Sequence, residues 1–313
     1  KLMSNNKFLE FLKDGQFSLI ILDIQVVKKD YKNLNFFRYI LNCILSNSRS
    51  LKIPSIMISH GLKIRYEDKY PAKYQNIFQP DYLALCNKYE KKYYREYIGK
   101  NTKVKILGDV RYDKNWINFL EKKSKKINKN FIKKKGKTNI LYLVGNLEFV
   151  EDPVALKNID NDIYKIVQID EDIELWIKVH PRYEKNVLPI HSRVRFFFND
   201  TDTNLLLQNA DITMSTLSGT LFQRIMKLKK VIFYCPWKQL LSKDTRTIFD
   251  NSNCVKVAKN FDDLKIAIKE IMKSPNIKKT QADKFYKQYV SANTSLNASI
   301  VSNYKKTLLN IVK

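Results

Sequence analysis

Two histidines and a group of hydroxyl side chains each stand directly after an apolar run of the sequence. His60 follows one run, His180 follows a second, and the segment Ser215–Thr220 follows a third. If the runs are strands of open parallel sheets, their carboxyl ends are where ligands bind, and chemistry is expected there. An imidazole titrates near neutrality and can accept a proton, whereas hydroxyl groups can donate hydrogen bonds to an anion. The spacing therefore indicates acid–base chemistry combined with anion binding.

The two histidines each allow a functional and a structural interpretation. His60 precedes Gly61, so a substrate hydroxyl could approach the backbone closely and lose its proton to the imidazole, but a loop histidine bonded to a carbonyl fits as well. His180 precedes Pro181, which ends the strand, and Arg182, whose permanent charge suits a phosphate. We favour a functional role for His180 and leave both interpretations open for His60.

The hydroxyl-rich segment precedes a helical run that starts at Leu221. Hydroxyls and open amides at a helix N-terminus bind anions, and a glycine there lets a phosphate come close. Ordinary Ser/Thr capping would give a similar pattern. Because the segment follows a strand of the same predicted sheet as His180, we expect phosphate binding, and the candidate residues are Ser215, Thr216, Ser218, Gly219 and Thr220.

Other motifs give no support to competing chemistries. The sequence contains no G-x-G-x-x-G, no Walker loop and no G-x-S-x-G, so dinucleotide oxidoreduction, P-loop hydrolysis and α/β-hydrolase chemistry lack their usual motifs. Asp200 and Asp202 form a D-x-D pair, but they precede Asn204 and a leucine run, which favours a helix cap over a metal site. We expect no metal and no resident cofactor.

Composition and charge limit the possible partners. The 313 residues are 44% hydrophobic and carry a net charge of +26, which indicates a globular protein attracted to polyanions. No run approaches the roughly 20 apolar residues of a membrane span, and no signal-peptide pattern is present, so we expect a cytoplasmic protein. A nucleic-acid-binding protein is an alternative, but 47 lysines against 10 arginines, dispersed along the chain, favour a partner other than nucleic acid.

Short β-rich runs alternate with longer helical spacing, which is typical of α/β domains built on parallel sheets. The predicted strands are 17–22, 53–59, 82–85 and 104–107, followed by 139–144, 174–179, 193–198, 211–214, 231–234 and 254–257. Nine lysines within residues 121–137 mark the boundary between the two series. We predict an N-terminal domain over 1–130, a C-terminal domain over 138–275, and packed helices over 276–313. The first series has fewer strands than a doubly wound domain needs, so we expect leading strands to be missing.

The order of these elements resembles a known group of enzymes. His60-Gly61, the G-x-x-R-x-D element Gly108–Asp113, His180-Pro181 and the Ser215–Thr220 loop resemble GT-B-fold transferases of bacterial surface-polysaccharide synthesis. The similarity runs from about Ile53 to Asp263. The nearest are CDP-glycerol glycerophosphotransferase-like enzymes of teichoic acid assembly, with CMP-Kdo-dependent capsule transferases close behind.

The resemblance implies two Rossmann-type domains facing a cleft, with 1–130 as the acceptor-side domain and 138–275 as the nucleotide-donor domain. It also implies a metal-independent transfer of a glycosyl or glycerol-phosphate group. It implies a CMP- or CDP-linked donor and a polysaccharide or lipid-linked acceptor. His60 would be the general base, with Arg111 and Asp113 in the same catalytic group, and His180 would contact the donor phosphate. Thr216 and Gly219 replace an Asp and a Ser of the glycerophosphotransferase loop, a change also compatible with CMP-sugar donors.

Two further expectations stay open at this point. The lysine-rich segment 122–137 could contact anionic lipid, which would place the protein peripherally at the inner membrane face. A UDP-sugar 2-epimerase-like enzyme shares the two-domain architecture and the strand-end histidine, and is the alternative activity.

Overall fold

A computed structural model describes the protein over twelve stretches of the chain. These are residues 5–24, 31–59, 65–67, 79–94, 99–127, 136–145, 153–180, 191–216, 218–236, 245–249, 252–292 and 299–313. Over these stretches, no helix combines the length and the apolar character that a bilayer crossing requires.

The chain divides into two compact units. Unit 1 comprises Lys1–Lys63, Glu67–Asp113 and Lys287–Lys313, whereas unit 2 comprises Ile64–Tyr66 and Lys114–Tyr286. The predicted boundary, between 130 and 138, lies further along the chain than this division. The difference arises because Ser124, near the start of the lysine-rich segment, belongs to a helix that packs in unit 2.

Unit 1 contains a four-stranded sheet in which every neighbouring pair is parallel. Its strands, in the order β1-β2-β4-β5, are β1 Ile20–Ile24, β2 Ser55–Ser59, β4 Tyr82–Leu85 and β5 Lys103–Ile106. The middle strands are apolar and buried on both faces, as parallel sheets covered by helices require.

Unit 2 contains a six-stranded parallel sheet. Its order is β12-β10-β9-β6-β7-β8, and the strands are β6 Thr138–Leu143, β7 Ile173–Lys178, β8 Val194–Phe197, β9 Ile212–Ser215, β10 Val231–Tyr234 and β12 Val255–Ala258. From β6 the chain adds β7 and β8 on one side of the sheet and then β9, β10 and β12 on the other. Open α/β sheets bind ligands at such a switch point in strand order.

Helices of varied length connect and cover the strands. They are α1 Asn5–Asp14, α2 Tyr31–Ser50, α3 Lys88–Tyr94, α4 Lys114–Ile127, α5 Pro153–Lys165, α6 Thr203–Asn209, α7 Leu221–Met226, α8 Phe261–Lys273, α9 Lys279–Tyr289 and α10 Ile300–Ile311. Single 3₁₀ turns occur at Val110–Tyr112 and Ile166–Gln168.

Burial of large apolar side chains holds the sheet of unit 2 against its helices. One core cluster sets Trp176 of β7 against Phe197 of β8, with ring centroids 5.9 Å apart in an edge-on arrangement, and adds leucines of β6 and α6. Removing such a fully buried side chain costs about 3–5 kcal/mol, so this cluster fixes the strands that carry the candidate site.

The structure confirms all ten predicted strands, with ends that differ by up to three residues. It also confirms that Asp202 caps α6, because its Oδ1 accepts the Asn204 N–H at 2.7 Å. Two strands were missed, β3 Arg65–Glu67 and β11 Thr245–Thr247, which pair in a separate two-stranded sheet. A strand of three residues leaves too short an alternation to be recognised in a sequence.

Candidate functional site

The carboxyl edge of the unit 2 sheet carries the predicted donor-side residues. Leu143 of β6 stands in register with Lys178 of β7 on one side and with Ser215 of β9 on the other. His180 and Thr216 lie one or two residues beyond that row, so both emerge from the same edge. Strands in a sheet are about 4.8 Å apart, which separates β7 from β9 by roughly 10 Å across β6.

Ser215 and Thr216 are buried beneath the turn that follows β9. The Ser215 hydroxyl donates to the Leu143 carbonyl at 2.9 Å and accepts the Ser218 N–H at 3.0 Å. The Thr216 Oγ1 lies 3.4 Å from the Tyr142 hydroxyl, and both Ser215 and Thr216 are wholly inaccessible to solvent. These two predicted donor-binding residues therefore position the turn rather than present their hydroxyls to a ligand.

Ser218 and Thr220 are the hydroxyl residues that reach the surface of this edge. Both are half-buried, and their oxygens lie 2.9 Å apart, while the Thr220 N–H donates to the Ser218 Oγ at 3.2 Å. Within a pair of bonded hydroxyls, one hydrogen lies between the two oxygens and the other is left to point outward. The pair thus offers one O–H donor to a ligand.

The turn provides fewer amide donors than the sequence pattern predicts. The N–H groups of Phe222 and Gln223 already donate to the carbonyls of Gly219 and Thr220, at 3.0 and 3.1 Å. The helix that follows, α7, has only six residues, so its dipole is small. The expected anion site at a helix N-terminus is therefore replaced by a hydroxyl-bearing turn at a strand end.

His180 occupies the neighbouring position after β7. Strand β7 is hydrogen-bonded to both neighbouring chain segments immediately before His180. The Val179 N–H donates to the Phe197 carbonyl at 2.9 Å, and the Val144 N–H donates to the Lys178 carbonyl at 3.1 Å. The imidazole is half-buried, which leaves it a solvent-facing side. Arg182, predicted to act beside it, lies outside the described residues.

Two residues at this edge were not predicted from the sequence. Gly145 follows β6 and is buried between the ends of β7 and β9, where a missing side chain allows a ligand close to the backbone. Lys178 ends β7 with its ammonium on the Phe198 carbonyl, and burial lowers the pKa of this lysine. Gly145 could have been found by inspecting the residue after every strand, as was done for β7 and β9.

The G-x-x-R-x-D element of unit 1 has a mainly architectural setting. Gly108 adopts φ +90°, and Asp113 is buried, where its Oδ2 accepts the Ser299 hydroxyl at 2.8 Å and the Val301 N–H at 3.2 Å. These contacts hold the first turn of α10 against the 3₁₀ turn Val110–Tyr112, which Asp113 follows. Asp113 was predicted to be catalytic, but its described contacts are those of a residue that caps α10.

Arg111 stands apart from Asp113 in this element. Its guanidinium is clamped by the buried Asp109, with the Nη2 to Oδ2 distance at 2.7 Å and the Nε to Oδ1 distance at 3.0 Å, while the Arg111 side chain is 52% exposed. The clamp fixes the direction of the guanidinium and leaves part of it open to solvent. His60, the predicted base, lies outside the described residues.

The carboxyl end of β4 is closed by its own polar groups. Glu90 is fully buried and accepts the Cys86 N–H at 2.8 Å, while the Asn87 amide donates to the Tyr289 carbonyl at 2.8 Å. Burial, assisted by the nearby charges of Glu90 and Asp109, raises the pKa of the Cys86 thiol, so this cysteine stays protonated. A buried thiol of this kind is a structural residue rather than a nucleophile.

Among the described residues, no group of three His, Cys, Asp or Glu side chains is arranged to hold a metal ion. The donors at the edge of the unit 2 sheet are hydroxyl and imidazole groups, which suit an anion. The chemistry open to this edge is therefore binding of a phosphate and stabilisation of negative charge that develops on it.

Solved structures match the chain over nearly its whole length, whereas no protein-family model and no curated protein sequence matches it. UDP-GlcNAc 2-epimerase from Neisseria meningitidis, bound to UDP-GlcNAc, has a TM-score of 0.62 at 13% identity, covering 98% of this chain and 80% of that one. The same enzyme from Methanocaldococcus jannaschii has a TM-score of 0.59 at 14% identity, with 99% and 82% covered. The wall teichoic acid polymerase TagF has a TM-score of 0.53 at 12% identity, with 98% and 94% covered.

These similarities define the class of the protein. Its two parallel α/β sheets belong to a GT-B-like fold, which is shared by enzymes of two different activities, a 2-epimerase and a polymerase. The predicted fold class is therefore confirmed. Identity this low reports on the fold alone, and fold does not determine activity.

Proposed function

We propose that the protein is a transferase that binds a nucleotide-activated donor, CMP- or CDP-linked, at the carboxyl edge of the unit 2 sheet. It would move a glycosyl or glycerol-phosphate group to a surface-polysaccharide or lipid-linked acceptor. The observation that supports this most strongly is the joint position of His180 and the Ser218–Thr220 hydroxyl pair at the ends of two strands that flank β6. Neither a metal nor a cofactor is required by this proposal.

The proposed roles follow from what each group can donate. The outward hydrogen of the Ser218–Thr220 pair and an N–H of His180 would bind the phosphate that departs with the nucleotide. Their hydrogen bonds strengthen as negative charge develops on that phosphate, which lowers the barrier. The buried Ser215 and Thr216 would keep the turn in place, and Gly145 would let the donor approach β6. His60 remains the proposed base for the acceptor hydroxyl, and Arg111 remains a proposed member of the same catalytic group.

Kinetics of two histidine variants test the assignment of His180. Removing one aligned donor costs about 2.7–4 kcal/mol of transition-state stabilisation, so His180→Ala is expected to lower turnover about a hundredfold or more. The matched control is His191→Ala, because His191 precedes β8 at the opposite edge of the same sheet, where its Nδ1 accepts the Arg193 N–H at 3.1 Å. Equal turnover in the two variants would exclude His180 from the reaction.

A UDP-GlcNAc 2-epimerase-like activity is the second candidate. It is favoured by the TM-scores, which are 0.62 and 0.59 for the two epimerases against 0.53 for TagF. The two activities differ in their need for an acceptor. Incubation with UDP-GlcNAc alone, followed by analysis of the sugar, tests the second candidate, because a C2 epimer formed without acceptor establishes the epimerase. Absence of the epimer, together with consumption of a CMP- or CDP-linked donor only when acceptor is added, establishes the transferase.

Contact with an anionic membrane forms part of the proposal. On α4, the rings of Trp116 and Phe119 stack with centroids 5.4 Å apart and are 46% and 54% exposed. Exposed Lys122, Lys123 and Lys126 follow on the same helix. Aromatic rings beside lysines suit the interface of a bilayer with anionic headgroups. Such contact would bring the protein to a lipid-linked acceptor at the inner face of the membrane.

A further inference from the structure

A polar cavity lies in unit 2, at the edge of the sheet opposite the proposed donor site. It has a volume of about 490 Å³ and is lined by residues of α4, α6 and α7. Its position follows from Arg224, whose Nη2 donates to the Ala210 carbonyl at 2.8 Å, because Ala210 precedes β9 and therefore marks the amino-terminal edge of the sheet. Cavities that bind small molecules typically enclose about 300–1,000 Å³.

Arg224 brings an incompletely compensated positive charge to this cavity. The residue is only 7% exposed, and its acceptors are the carbonyls of Leu207 at 2.5 Å, Ala210 at 2.8 Å and Asp211 at 3.5 Å. Its Nε–H has no hydrogen-bond partner. No carboxylate in the described part of the chain pairs with it, whereas buried charges are normally paired. Burial lowers the pKa of Arg224 to about 10, although the nearby charges of Asp211 and Glu121 oppose this shift.

The other charged groups of the lining add to the positive excess. Lys125 and Lys227 join Arg224, and the one carboxylate is Glu121, which pairs with Lys227 at 2.9 Å. Among the lining residues three cations thus face a single carboxylate, and the nearby Asp211 offsets part of the charge of Arg224. The partial negative charge at the C-terminus of α6 is offset by Arg224, whose guanidinium caps its carbonyls. An anionic ligand would complete the charge balance of the cavity.

The uncharged lining indicates what the anion is attached to. Side-chain amides of Asn204, Gln208, Asn209 and Gln223 surround the cations. Three of these amides already use one N–H within the protein, because Asn204 donates to Asp202, Gln208 to the Glu121 carbonyl and Asn209 to the Leu205 carbonyl. Each keeps a second N–H and its oxygen, a donor and an acceptor that match sugar hydroxyls, whereas lysine and arginine match phosphate oxygens. We infer that this cavity is a binding site for a phosphorylated sugar, separate from the proposed donor site and independent of the activity assigned there.

Equilibrium binding of glucose 6-phosphate, with glucose as the uncharged comparison, tests the inference on the whole chain. The informative variant is Lys125→Ala with Lys227→Ala, because Arg224 supports α6 and its removal would disturb the fold. The matched control is Lys265→Ala with Lys269→Ala, which removes two exposed lysines of α8 that do not line the cavity. We expect the cavity variant to bind glucose 6-phosphate about tenfold or more weakly, and the control to bind like the wild type.

Hydrogen exchange locates the site independently of the variants. Glucose 6-phosphate should slow amide exchange in 203–209 and 221–228, and glucose should not. The inference is overturned if the wild type fails to bind glucose 6-phosphate, if the two double variants lose affinity equally, or if protection appears at 215–220 in place of these segments.

Discussion

Gly108 is the position at which a single added methyl group tests how the C-terminal segment is held. The residue adopts φ +90°, and a Cβ built there would lie 3.0 Å from the Val290 carbonyl oxygen, 3.0 Å from Ile300 Cγ2 and 3.1 Å from Ser291 Cα. Two of these three neighbours are backbone atoms, which cannot rotate away. Gly108→Ala must therefore either shift the segment that leads into α10 or force the end of β5 to move.

The magnitude follows from two separate costs. An L-residue in the left-handed region costs about 1–2 kcal/mol. Overpacking against fixed backbone adds about 1–3 kcal/mol. We therefore expect Gly108→Ala to destabilise unit 1 by about 2–5 kcal/mol. Gly136→Ala is the matched control, because Gly136 also has a positive φ, +80°, but no atom lies within 4 Å of its added Cβ, so only the conformational cost applies.

Urea unfolding combined with amide exchange in α10 measures both effects. Gly108→Ala should lower the free energy of unfolding more than Gly136→Ala does, and it should accelerate exchange in Ile300–Ile311, where the control leaves exchange unchanged. Loss of the Asp109 N–H to Val290 hydrogen bond, 2.8 Å in length, should appear as faster exchange at Asp109. Equal destabilisation by the two substitutions would refute the packing of the C-terminal segment on Gly108.

Three further predictions concern buried polar groups. Asp113→Ala removes the acceptor for Ser299 and Val301, so it should destabilise by about 1 kcal/mol or more and loosen α10 in exchange measurements; unchanged exchange would contradict the cap role. Tyr234→Phe deletes a 2.6 Å hydrogen bond to Asp162 and should cost about 1–3 kcal/mol in urea unfolding, so a neutral result would show that water replaces the hydroxyl. The raised pKa of Cys86 means that the folded protein holds the thiol proton more tightly than the unfolded chain does. The contribution of this protonated thiol to the free energy of unfolding is therefore complete below pH 9.0 and is lost as the pH rises through the folded pKa. Cys86→Ala should flatten that alkaline decline, and an identical pH profile in wild type and variant would disprove the contribution.

The strands could be predicted from the sequence because a buried parallel strand is a short apolar run, and β7 with its buried Trp176 is an example. The strand-end rule then located His180 and the turn after β9 at one edge of the sheet. The orientation of individual side chains could not be predicted in the same way. Ser215 and Thr216 are buried because β9 lies between β6 and β10 in the middle of the sheet, and the place of a strand within its sheet is not visible in a single sequence.

The setting of Asp113 shows the same limit for contacts between distant residues. Its partner Ser299 lies 186 residues further along the chain, so neither spacing nor local pattern links the two. The charge excess at Arg224 was missed for a similar reason, because it depends on how α6 and α7 meet. Local patterns predict elements, whereas roles that depend on tertiary contacts need the structure.

A nucleotide thermal-shift series with CMP, CDP, UDP and GDP tests the central claim most directly, when the wild type is compared with Ser218→Ala. A ligand at about 100 times its dissociation constant adds about 2.7 kcal/mol of stability, which is large enough to raise the unfolding temperature measurably. The account predicts that a cytidine nucleotide raises the unfolding temperature of the wild type and that Ser218→Ala loses most of this response. No response of the wild type to any of the four nucleotides, or an equal response in the variant, would contradict a donor site at the turn after β9.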